Sequence, residues 1–345
     1  MGKRGKRGDI NVLIVGSEKI ASYKIGIEQP LRHLEKMGVC DFDVRSDDEM
    51  DRSRLAEADI VLFFRTVQPE AYKYLEMARE MGKRTVYVID DHFIAMSPGS
   101  DMGRYYHDSS RRKTYVKFLK NAQSVKVASS FFAKHLETHF SPQKIVYFPG
   151  SVDFSVISGL KKNRKEEGKV VIGYEGGKKQ VAFEPVIGAL HKIIGKYGDK
   201  LRIEFCGYVP DELREKPQVF TESYDENYKN FLKRLYRSNW DIGLAPLERT
   251  LLHDCKSNNK FREYSACRIP GIYSSSPAYE EWVAGKENGL IVSGESDDWY
   301  EAMVQLIEQP ELRQSIAEHA EQVAWANFSV EACAERWRSQ ILLSE

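Results

Sequence analysis

Short apolar runs alternate with helix-like segments along almost the whole chain, and this order leaves few folds open. In the first half, apolar runs predict strands at 10–15, 59–64, 85–89, 124–128 and 144–147. Helices are predicted between them at about 26–37, 69–81, 111–121 and 131–139. Strands that alternate with helices build a parallel sheet with helices on both faces. The first half is therefore expected to form one doubly wound α/β domain.

A charged, apolar-poor run at 161–169, KKNRKEEGK, interrupts this order and is typical of an exposed linker. A second series of elements follows, with strands predicted at 170–174, 201–206, 240–245 and 269–274 and helices at 183–197, 224–237 and 260–267. Further helices are predicted at 298–308, 311–326 and 330–343. A chain of 345 residues suits two domains of about 150 residues each.

The charge and the cysteine content disfavour several classes of protein. With 51 basic and 51 acidic residues the formal net charge is zero, so no overall field draws the chain to nucleic acid. The five cysteines are odd in number and lack C-x-x-C spacing, which disfavours a disulfide framework or a zinc site and favours a reduced cytosol. No apolar segment approaches the ~20 residues that a membrane span needs.

The N-terminal MGKRGKRG is basic but is followed by Asp9 and a short strand, so it lacks the apolar region of a signal peptide. We expect a disordered, solubilising arm. The alternative is weak attraction of this arm to an anionic membrane surface. A cytoplasmic protein is expected, with peripheral membrane association left open.

The stretch 241–292 carries the clearest candidate site. A strand is followed by a polar loop at 253–259 and then by the helix predicted at 260–267. The N–H groups that open a helix, next to a lysine ammonium, form a natural seat for a diphosphate. Glu263, one turn inside this helix, could accept hydrogen bonds from a sugar diol.

Two lysines of this stretch are candidates to bind phosphate and to act in catalysis. Lys256 and Lys260 are four residues apart and would share a helix face if the helix began early. Ser257, Asn258 and Asn259 lie between them as further polar ligands. Ser257 and Asn259 could equally cap the helix, and capping is compatible with anion binding.

A second loop with anion-binding character is YEGGKK at 174–179, directly after a predicted strand. Gly176 and Gly177 let the backbone approach an anion closely. Lys178 or Lys179 supplies positive charge. The loop is therefore a second candidate to bind a diphosphate.

Two further segments are expected to wall the same site. SSSPAY follows the strand predicted at 269–274, and its backbone N–H groups could touch a diphosphate, with Ser276 and Tyr279 as the candidate contacts. Tyr208 follows Gly207 at the end of another predicted strand. Its ring could contact a ligand or simply shield the strand end.

Several motifs occur in an order that resembles a known enzyme family. They are IGYEGG at 172–177, FCGYVP at 205–210, the loop and helix around Lys260, NGLIV at 288–292 and a helical segment from 297. Together they resemble the donor half of retaining GT-B glycosyltransferases of the group-1, family 4 type. The resemblance is good from 170 to the C-terminus and looser before it.

The resemblance implies an α/β GT-B fold, in which two doubly wound Rossmann-like domains face a central cleft. Residues 9–155 would form the acceptor-binding domain, and 169–327 would bind the nucleotide sugar. The C-terminal helix, 328–345, would pack back on the N-terminal domain. The scaffold uses cationic groups and helix dipoles in place of a metal, so no metal and no other cofactor are expected.

The resemblance also assigns roles to residues of the donor half. Glu263 stands at the second glutamate of the family's E-x7-E motif, which holds the ribose hydroxyls. The first glutamate falls at Cys255, so the carboxylate that orients the donor sugar is missing, and the adjacent Asp254 is a candidate to replace it. Tyr208 stands where the nucleobase is usually sandwiched.

In the N-terminal domain, candidate residues follow predicted strands at the carboxyl edge of the sheet, where open α/β folds bind ligands. Gly16 and Ser17 close the first strand, and Asp90, Asp91 and His92 follow the strand at 85–89. The adjacent aspartates invite a metal, as in D-x-D sites, but they lack that spacing. We expect Asp90 on the acceptor side, and Asp91 or His92 to orient the acceptor hydroxyl.

A loop predicted at 96–112 is expected to read the acceptor, with His107 as a second candidate facing the cleft. The expected reaction moves a sugar from a nucleotide-diphosphate sugar to a hydroxyl of a sugar, lipid-linked or protein acceptor, with retention, in glycoconjugate or surface polysaccharide synthesis. Two alternatives stay open. One is an inactive nucleotide-sugar-binding protein or subunit, and the other is a nucleotide-sugar epimerase on the same scaffold.

Overall fold

The structure is a computed structural model in which residues 10–344 are described. The basic MGKRGKRG arm, for which we expect disorder or membrane attraction, lies outside the described residues. The chain divides into two compact units. The first comprises Met1–Ser151, Asp254–Ser257 and Val330–Glu345, and the second comprises Val152–His253 and Asn258–Ser329.

The first unit is built on a parallel six-stranded sheet with strand order β2-β1-β3-β4-β5-β6. Its strands are β1 Ile10–Val15, β2 Cys40–Arg45, β3 Ile60–Phe64, β4 Arg84–Val88, β5 Ser124–Val127 and β6 Ile145–Tyr147. Its first helices are α1 Ala21–Tyr23, α2 Gln29–Lys36, α3 Arg52–Glu57, α4 Pro69–Glu80, α5 Asp101–His107, α6 Ser109–Asn121 and α7 Ser130–Phe140. A π-helical segment, Lys24–Glu28, joins α1 to α2.

Both faces of this sheet are buried, as the near-continuous apolar strands require. Along β1, Val12 and Ile14 enter the core on one face, and Leu13 and Val15 enter the core on the other. This alternation follows from the two-residue period of a strand.

The second unit repeats the plan, with strand order β12-β11-β10-β7-β8-β9. Its strands are β7 Val170–Gly176, β8 Leu201–Gly207, β9 Val219–Glu222, β10 Ile242–Ala245, β11 Gly271–Ser274 and β12 Leu290–Val292. Its helices are α8 Gln180–Tyr197, α9 Tyr228–Ser238, α10 Leu251–Asp254, α11 Asn259–Ala266, α12 Pro277–Glu280, α13 Ser296–Glu308 and α14 Pro310–Phe328. Asp254, the last residue of α10, is assigned to the first unit. One face of the sheet packs on α8 and α13 around Phe183 and Trp299.

The last helix, α15 Val330–Trp337, belongs to the first unit and packs on α2. Trp337 is fully buried there, its ring centroid 5.5 Å from that of Phe148. The indole N–H donates a hydrogen bond to the carbonyl oxygen of Gly26 at 2.9 Å. This bond satisfies the polar atom that burial of a tryptophan would otherwise leave unpaired.

The predicted strands are present within two residues of their expected ends, and two doubly wound sheets are confirmed. The strands β2, β9 and β12 were not predicted. All three are edge strands, which are paired on one side only, and β2 and β9 carry polar residues in place of a continuous apolar run. The prediction of an acceptor loop at 96–112 is wrong. Helix α5 and the start of α6 lie within this segment, and each has a capped N-terminus.

None of the helices in the described part of the chain is long and apolar enough to cross a membrane.

Replacing Trp337 by alanine should destabilise the protein by roughly 3–5 kcal/mol, because it leaves a cavity and an unpaired carbonyl in the first unit. The measurement is the free energy of unfolding from a urea titration. Trp325→Ala is the matched control, since Trp325 is 56 % exposed on α14 and should cost less than about 1 kcal/mol. Equal losses in the two variants would contradict the packing described for α15.

Candidate functional site

Helix α11 is the element that places the central candidates. It begins at Asn259, after the connection that leaves β10, and its residues Phe261 to Ala266 are all buried. These six buried residues include two charged ones, Arg262 and Glu263. A helix on the surface would keep such side chains in water. The side chain of Asn258 makes no capping bond to the helix.

Lys260, in the first turn of α11, lies between two carboxylates. Its Nζ forms an ion pair with Oε2 of Glu175 on β7 and lies 3.7 Å from Oε2 of Glu263. The three side chains are 14 %, 5 % and 7 % exposed, in that order. We call Lys260, Glu175 and Glu263 the buried ion cluster.

The pKa values of this cluster follow from burial and from its charges. Burial lowers the pKa of Lys260, but the attraction of Glu175 and Glu263 outweighs it and holds that pKa well above its ordinary value. Burial raises the pKa of Glu263, and Lys260 and Arg262 oppose this rise. The ammonium is therefore held in its charged form inside the fold.

Aromatic rings enclose the same ammonium. Its Nζ lies 5.7 Å from the ring centroid of Phe231 on α9 and 5.8 Å from that of Tyr264. Tyr279 on α12 and Tyr174 on β7 also interact electrostatically with Lys260. These rings limit the water around the ion cluster, which strengthens its internal attractions.

The end of β7 brings the predicted glycine loop to the carboxyl edge of the second sheet. Gly176 has a φ of +149°, and a Cβ there would lie 2.8 Å from the hydroxyl of Tyr174 and 3.8 Å from Cε of Lys260. The Tyr174 hydroxyl donates to the carbonyl of Gly177 at 3.0 Å. Glycine at 176 therefore permits the close approach of this strand to Lys260.

The other donor-side candidates differ in their surroundings. Lys178 is exposed, whereas Lys179 donates to the carbonyl of Pro246 at 3.4 Å. Asn259 accepts a hydrogen bond from Arg262 at 2.9 Å. Tyr208 donates its N–H to Gly176 at 2.9 Å, and its ring packs edge-on against Phe183 with centroids 5.6 Å apart.

Residues of the segment after β11 also stabilise the fold. The hydroxyl of Ser276 accepts the N–H of Ala278 at 3.4 Å and so caps α12. Tyr279 is 3 % exposed, with its ring centroid 4.9 Å from that of Tyr273. Burial raises the pKa of Tyr279 well above its usual range, so its hydroxyl stays protonated.

A polar cavity of about 590 Å³ lies between α9 and the sheet face formed by β7 and β8. Glu175 lines it, together with Arg202 and Glu204, which form an ion pair. Trp240 donates its indole N–H to Glu204 at 2.7 Å. The sequence does not predict this cavity, because the residues that line it come from separate strands and a helix.

Lys256 and Lys260 would share a helix face only if the helix began early, and this condition is not met, because α11 begins at Asn259. Residues Asp254–Ser257 are assigned to the first unit. There Cys255 is fully buried in the core, and burial raises the pKa of its thiol to about 12. Lys256 Nζ lies 3.1 Å from Oδ1 of Asp91.

Asp91 belongs to a small ionic group at the carboxyl end of β4. Arg65 Nη1 lies 3.0 Å from Oδ2 of Asp90, and its Nη2 lies 3.8 Å from Oδ2 of Asp91. Arg65 has a φ of 55°, uncommon for a residue with a side chain. Sequence reasoning missed Arg65, although it directly follows the apolar run of β3.

His92 lies in the core of the first unit and is 2 % exposed. Its Nδ1 is 3.3 Å from the hydroxyl of Tyr115, and its ring centroid is 4.9 Å from that of His135. Burial, with the charges of His135 and His139, lowers the pKa of His92 to about 4. This enclosure favours a structural role for the ring over direct contact with an acceptor.

The remaining acceptor-side candidates take different positions in the first unit. Gly16 has a φ of +154°, and a Cβ there would lie 2.6 Å from the carbonyl oxygen of Phe64. Ser17 is exposed. His107 ends α5 and lies 2.9 Å from the carbonyl oxygen of Met96, so the expectation that it lies on a loop is wrong.

Within residues 10–344, no group of three or more histidine, cysteine, aspartate or glutamate side chains has the arrangement of a metal site.

No protein-family model matches the chain, and no curated protein matches it significantly. Solved structures do match its fold. Sucrose-phosphate synthase of Thermosynechococcus elongatus is 12 % identical, with a TM-score of 0.69 over 97 % of this chain and 100 % of its own. HepE of Anabaena, solved with UDP-glucose, is 12 % identical, with a TM-score of 0.66 over 96 % and 99 %.

A glycosyltransferase of Rickettsia africae is 14 % identical, with a TM-score of 0.65 over 96 % of this chain and 97 % of its own. The similarity thus extends over almost the whole chain, including the first half, where the sequence motifs are weaker. The chain has the GT-B fold of these glycosyltransferases, with two Rossmann-like domains.

The buried, neutral His92 should make the first unit sensitive to acid. Its folded pKa lies below the unfolded value of about 6.5, so the unfolded state binds the proton more readily as the pH falls. Stability is then complete above about pH 6.5 and falls towards pH 4, by up to roughly 3 kcal/mol. Free energies of unfolding from urea titrations at pH 7 and pH 4.5 measure the loss.

The variant His92→Phe should lose less stability between these two pH values than the wild type does. His319→Phe is the control, since His319 is exposed on α14. If the His92→Phe variant keeps the full acid sensitivity, another group causes it.

Proposed function

We propose that the chain is a glycosyltransferase that moves a sugar from a nucleotide-diphosphate sugar to an acceptor hydroxyl with retention of configuration. The observation that carries the proposal is the buried ion cluster beside Gly176, at the carboxyl edge of the second sheet. This edge is where open α/β sheets bind ligands. Support comes from HepE, which has the same fold and was solved with UDP-glucose.

In this proposal the diphosphate binds beside the first turn of α11. The N–H groups at the start of the helix and the backbone of Gly176 and Gly177 face the anion, and Lys260 supplies the positive charge. Glu263, one turn further on, accepts hydrogen bonds from the ribose hydroxyls. Lys178, Lys179, Tyr208 and Tyr279 form the walls of the donor site.

Charge development explains how such a site accelerates transfer. Breaking the anomeric C–O bond places negative charge on the departing diphosphate and positive charge on the sugar. Groups prearranged around the diphosphate stabilise this transition state more than the ground state. The leaving phosphate oxygen takes the acceptor proton on the same face, so no second catalytic carboxylate is needed. We propose that the reaction needs no metal.

The replacement at Cys255 bears on the donor sugar. A buried thiol with a raised pKa in the core of the first unit supplies no carboxylate for a sugar hydroxyl. Asp254 directly precedes it, is only partly buried, and is our candidate for that role. On the acceptor side we assign Asp91, held by Arg65 and Lys256, to orient the hydroxyl.

A second candidate function is that of an inactive nucleotide-sugar-binding protein. It is favoured by Cys255 and by the two carboxylates that already neutralise Lys260. We place the active enzyme first because the glycine loop, the lysine and Glu263 are all present. The product would be a glycoconjugate or surface polysaccharide made on the cytoplasmic side of a membrane.

Nucleoside diphosphates should stabilise the protein by binding its native state. A thermal-shift panel of UDP, GDP, dTDP and CDP measures this, and a ligand at 100 times its Kd should add about 2.7 kcal/mol. We expect one base to be preferred. If none of the four raises the melting temperature, the donor site proposed here is wrong.

Lys260→Met should lower kcat/KM for sugar transfer by roughly 100-fold or more, because the departing diphosphate loses its nearest positive charge. The activity is measured with the sugar nucleotide of the preferred base and a panel of sugar, lipid-linked and peptide acceptors. Lys229→Met, at an exposed position of α9, removes the same charge outside the site and should keep full activity. Unchanged turnover in Lys260→Met would refute its role, and nucleotide binding without transfer in the wild type would favour the inactive binder.

A further inference from the structure

One buried carboxylate of the second unit has no task in the donor site described so far. Glu175 on β7 is 4 % exposed, although a carboxylate in a strand interior is costly to bury. Its partner in the ion cluster is Lys260. Stability alone is a weak reason for such a pair, because apolar residues of similar volume often replace buried ion pairs without loss.

The charges of the ion cluster balance only when Arg262 is counted. Glu175 and Glu263 share the single ammonium of Lys260, and the buried guanidinium of Arg262 supplies the second positive charge beside Glu263. A diphosphate that approaches Lys260 brings further negative charge to the same place. Like charges this close, in surroundings with little water, cannot all stay ionised.

The other groups that face the cluster do little to offset the charge that the diphosphate adds. Burial raises the pKa of the surrounding phenols and of the Cys206 thiol, which keeps them neutral. The guanidinium of Arg262 acts on Glu263, and Arg202 and Arg234, which line the cavity beside Glu175, have Glu204 and Glu222 as partners. The phenols come from β7, α9 and the loop before it, α11 and α12, and belong to Tyr174, Tyr224, Tyr228, Tyr264 and Tyr279. The negative charge of the arriving diphosphate must therefore be balanced by protons.

A route for those protons exists. Glu175 lines the polar cavity of about 590 Å³ between α9 and the sheet. The exposed carboxylate of Glu222 on β9 lines the same cavity, with 61 % of its side chain accessible. Solvent in this cavity can therefore exchange protons with Glu175.

We propose that Glu175 is the positioning residue of Lys260, and that a nucleoside diphosphate displaces it from the ammonium while the Glu175–Glu263 carboxylate pair takes up a proton. This inference rests on the proposed donor site. In the free protein Glu175 keeps Lys260 charged and aimed at the glycine loop. In the complex the diphosphate replaces Glu175 as the counter-ion.

Proton uptake makes nucleotide binding favour low pH. The binding constant falls as the pH rises, by at most tenfold per pH unit for one proton. Glu175→Gln removes one of the two carboxylates, so the diphosphate meets one negative charge fewer and needs no proton. Glu175→Asp keeps the charge and should retain the uptake, with weaker nucleotide binding because Lys260 is held less well.

Isothermal titration calorimetry of the whole protein tests this. UDP, GDP, dTDP and CDP are titrated in turn at one pH in buffers of different ionisation enthalpy, and the slope of the observed enthalpy gives the protons taken up. The wild type and the control Glu222→Gln should take up roughly one proton per nucleotide. Glu175→Gln should take up almost none, with a flat pH profile of the Kd, and its melting curve checks that it is folded.

The outcomes separate the two proposals. Nucleotide binding without proton uptake in the wild type, or with undiminished uptake in Glu175→Gln, overturns the role of Glu175 and leaves the donor site standing. Loss of uptake in Glu175→Asp, despite its retained charge, also overturns it. Binding of none of the four nucleotides to the wild type removes the donor site and this inference together.

Discussion

The buried ion pair between Lys260 and Glu175 is the interaction on which the candidate site depends. It ties the first turn of α11 to the end of β7, two elements far apart in sequence. A lysine so enclosed would tend to lose its proton, and the two neighbouring carboxylates prevent this. The positive charge that the proposed diphosphate ligand needs is therefore built into the fold before any ligand arrives.

The same interaction also works against anion binding at the proposed site. A lysine held by two carboxylates presents less free positive charge than an unpaired one, so anion binding has to compete with Glu175 and Glu263. In the proposed donor site, Cys255 also supplies no carboxylate at the position where the resemblance predicts a glutamate. Both features require the rest of the site, the α11 N-terminus and the glycine loop, to contribute more to donor binding.

The first unit shows how short segments can be misread from sequence. Residues 254–257 look like the approach to a phosphate-binding helix, but they belong to the first unit, where Cys255 fills its core and Lys256 pairs with Asp91. The run Asp90, Asp91 and His92 looks like one polar cluster, but His92 lies in the core. Residues that are adjacent in the chain can thus lie in different surroundings.

Most of the fold could be predicted because the sequence patterns that indicate its strands and helices are local. The buried strands are continuous apolar runs, so they were found within two residues, whereas the edge strands β2 and β9 lack that signal and β12 has only three residues. The order of strands and helices, with the motifs around Lys260, also pointed to the GT-B fold that the solved structures share. These features depend on residues close together along the chain.

The tertiary structure alone decided which side chains meet. That Glu175 pairs with Lys260, that Arg65 holds Asp90, and that His92 is buried all depend on contacts between separate elements. The physical reason is that burial and pairing are set by packing in three dimensions. Sequence spacing along a helix or strand therefore determines which residue types are available at a site. Only the packed fold determines which charged side chains pair with each other.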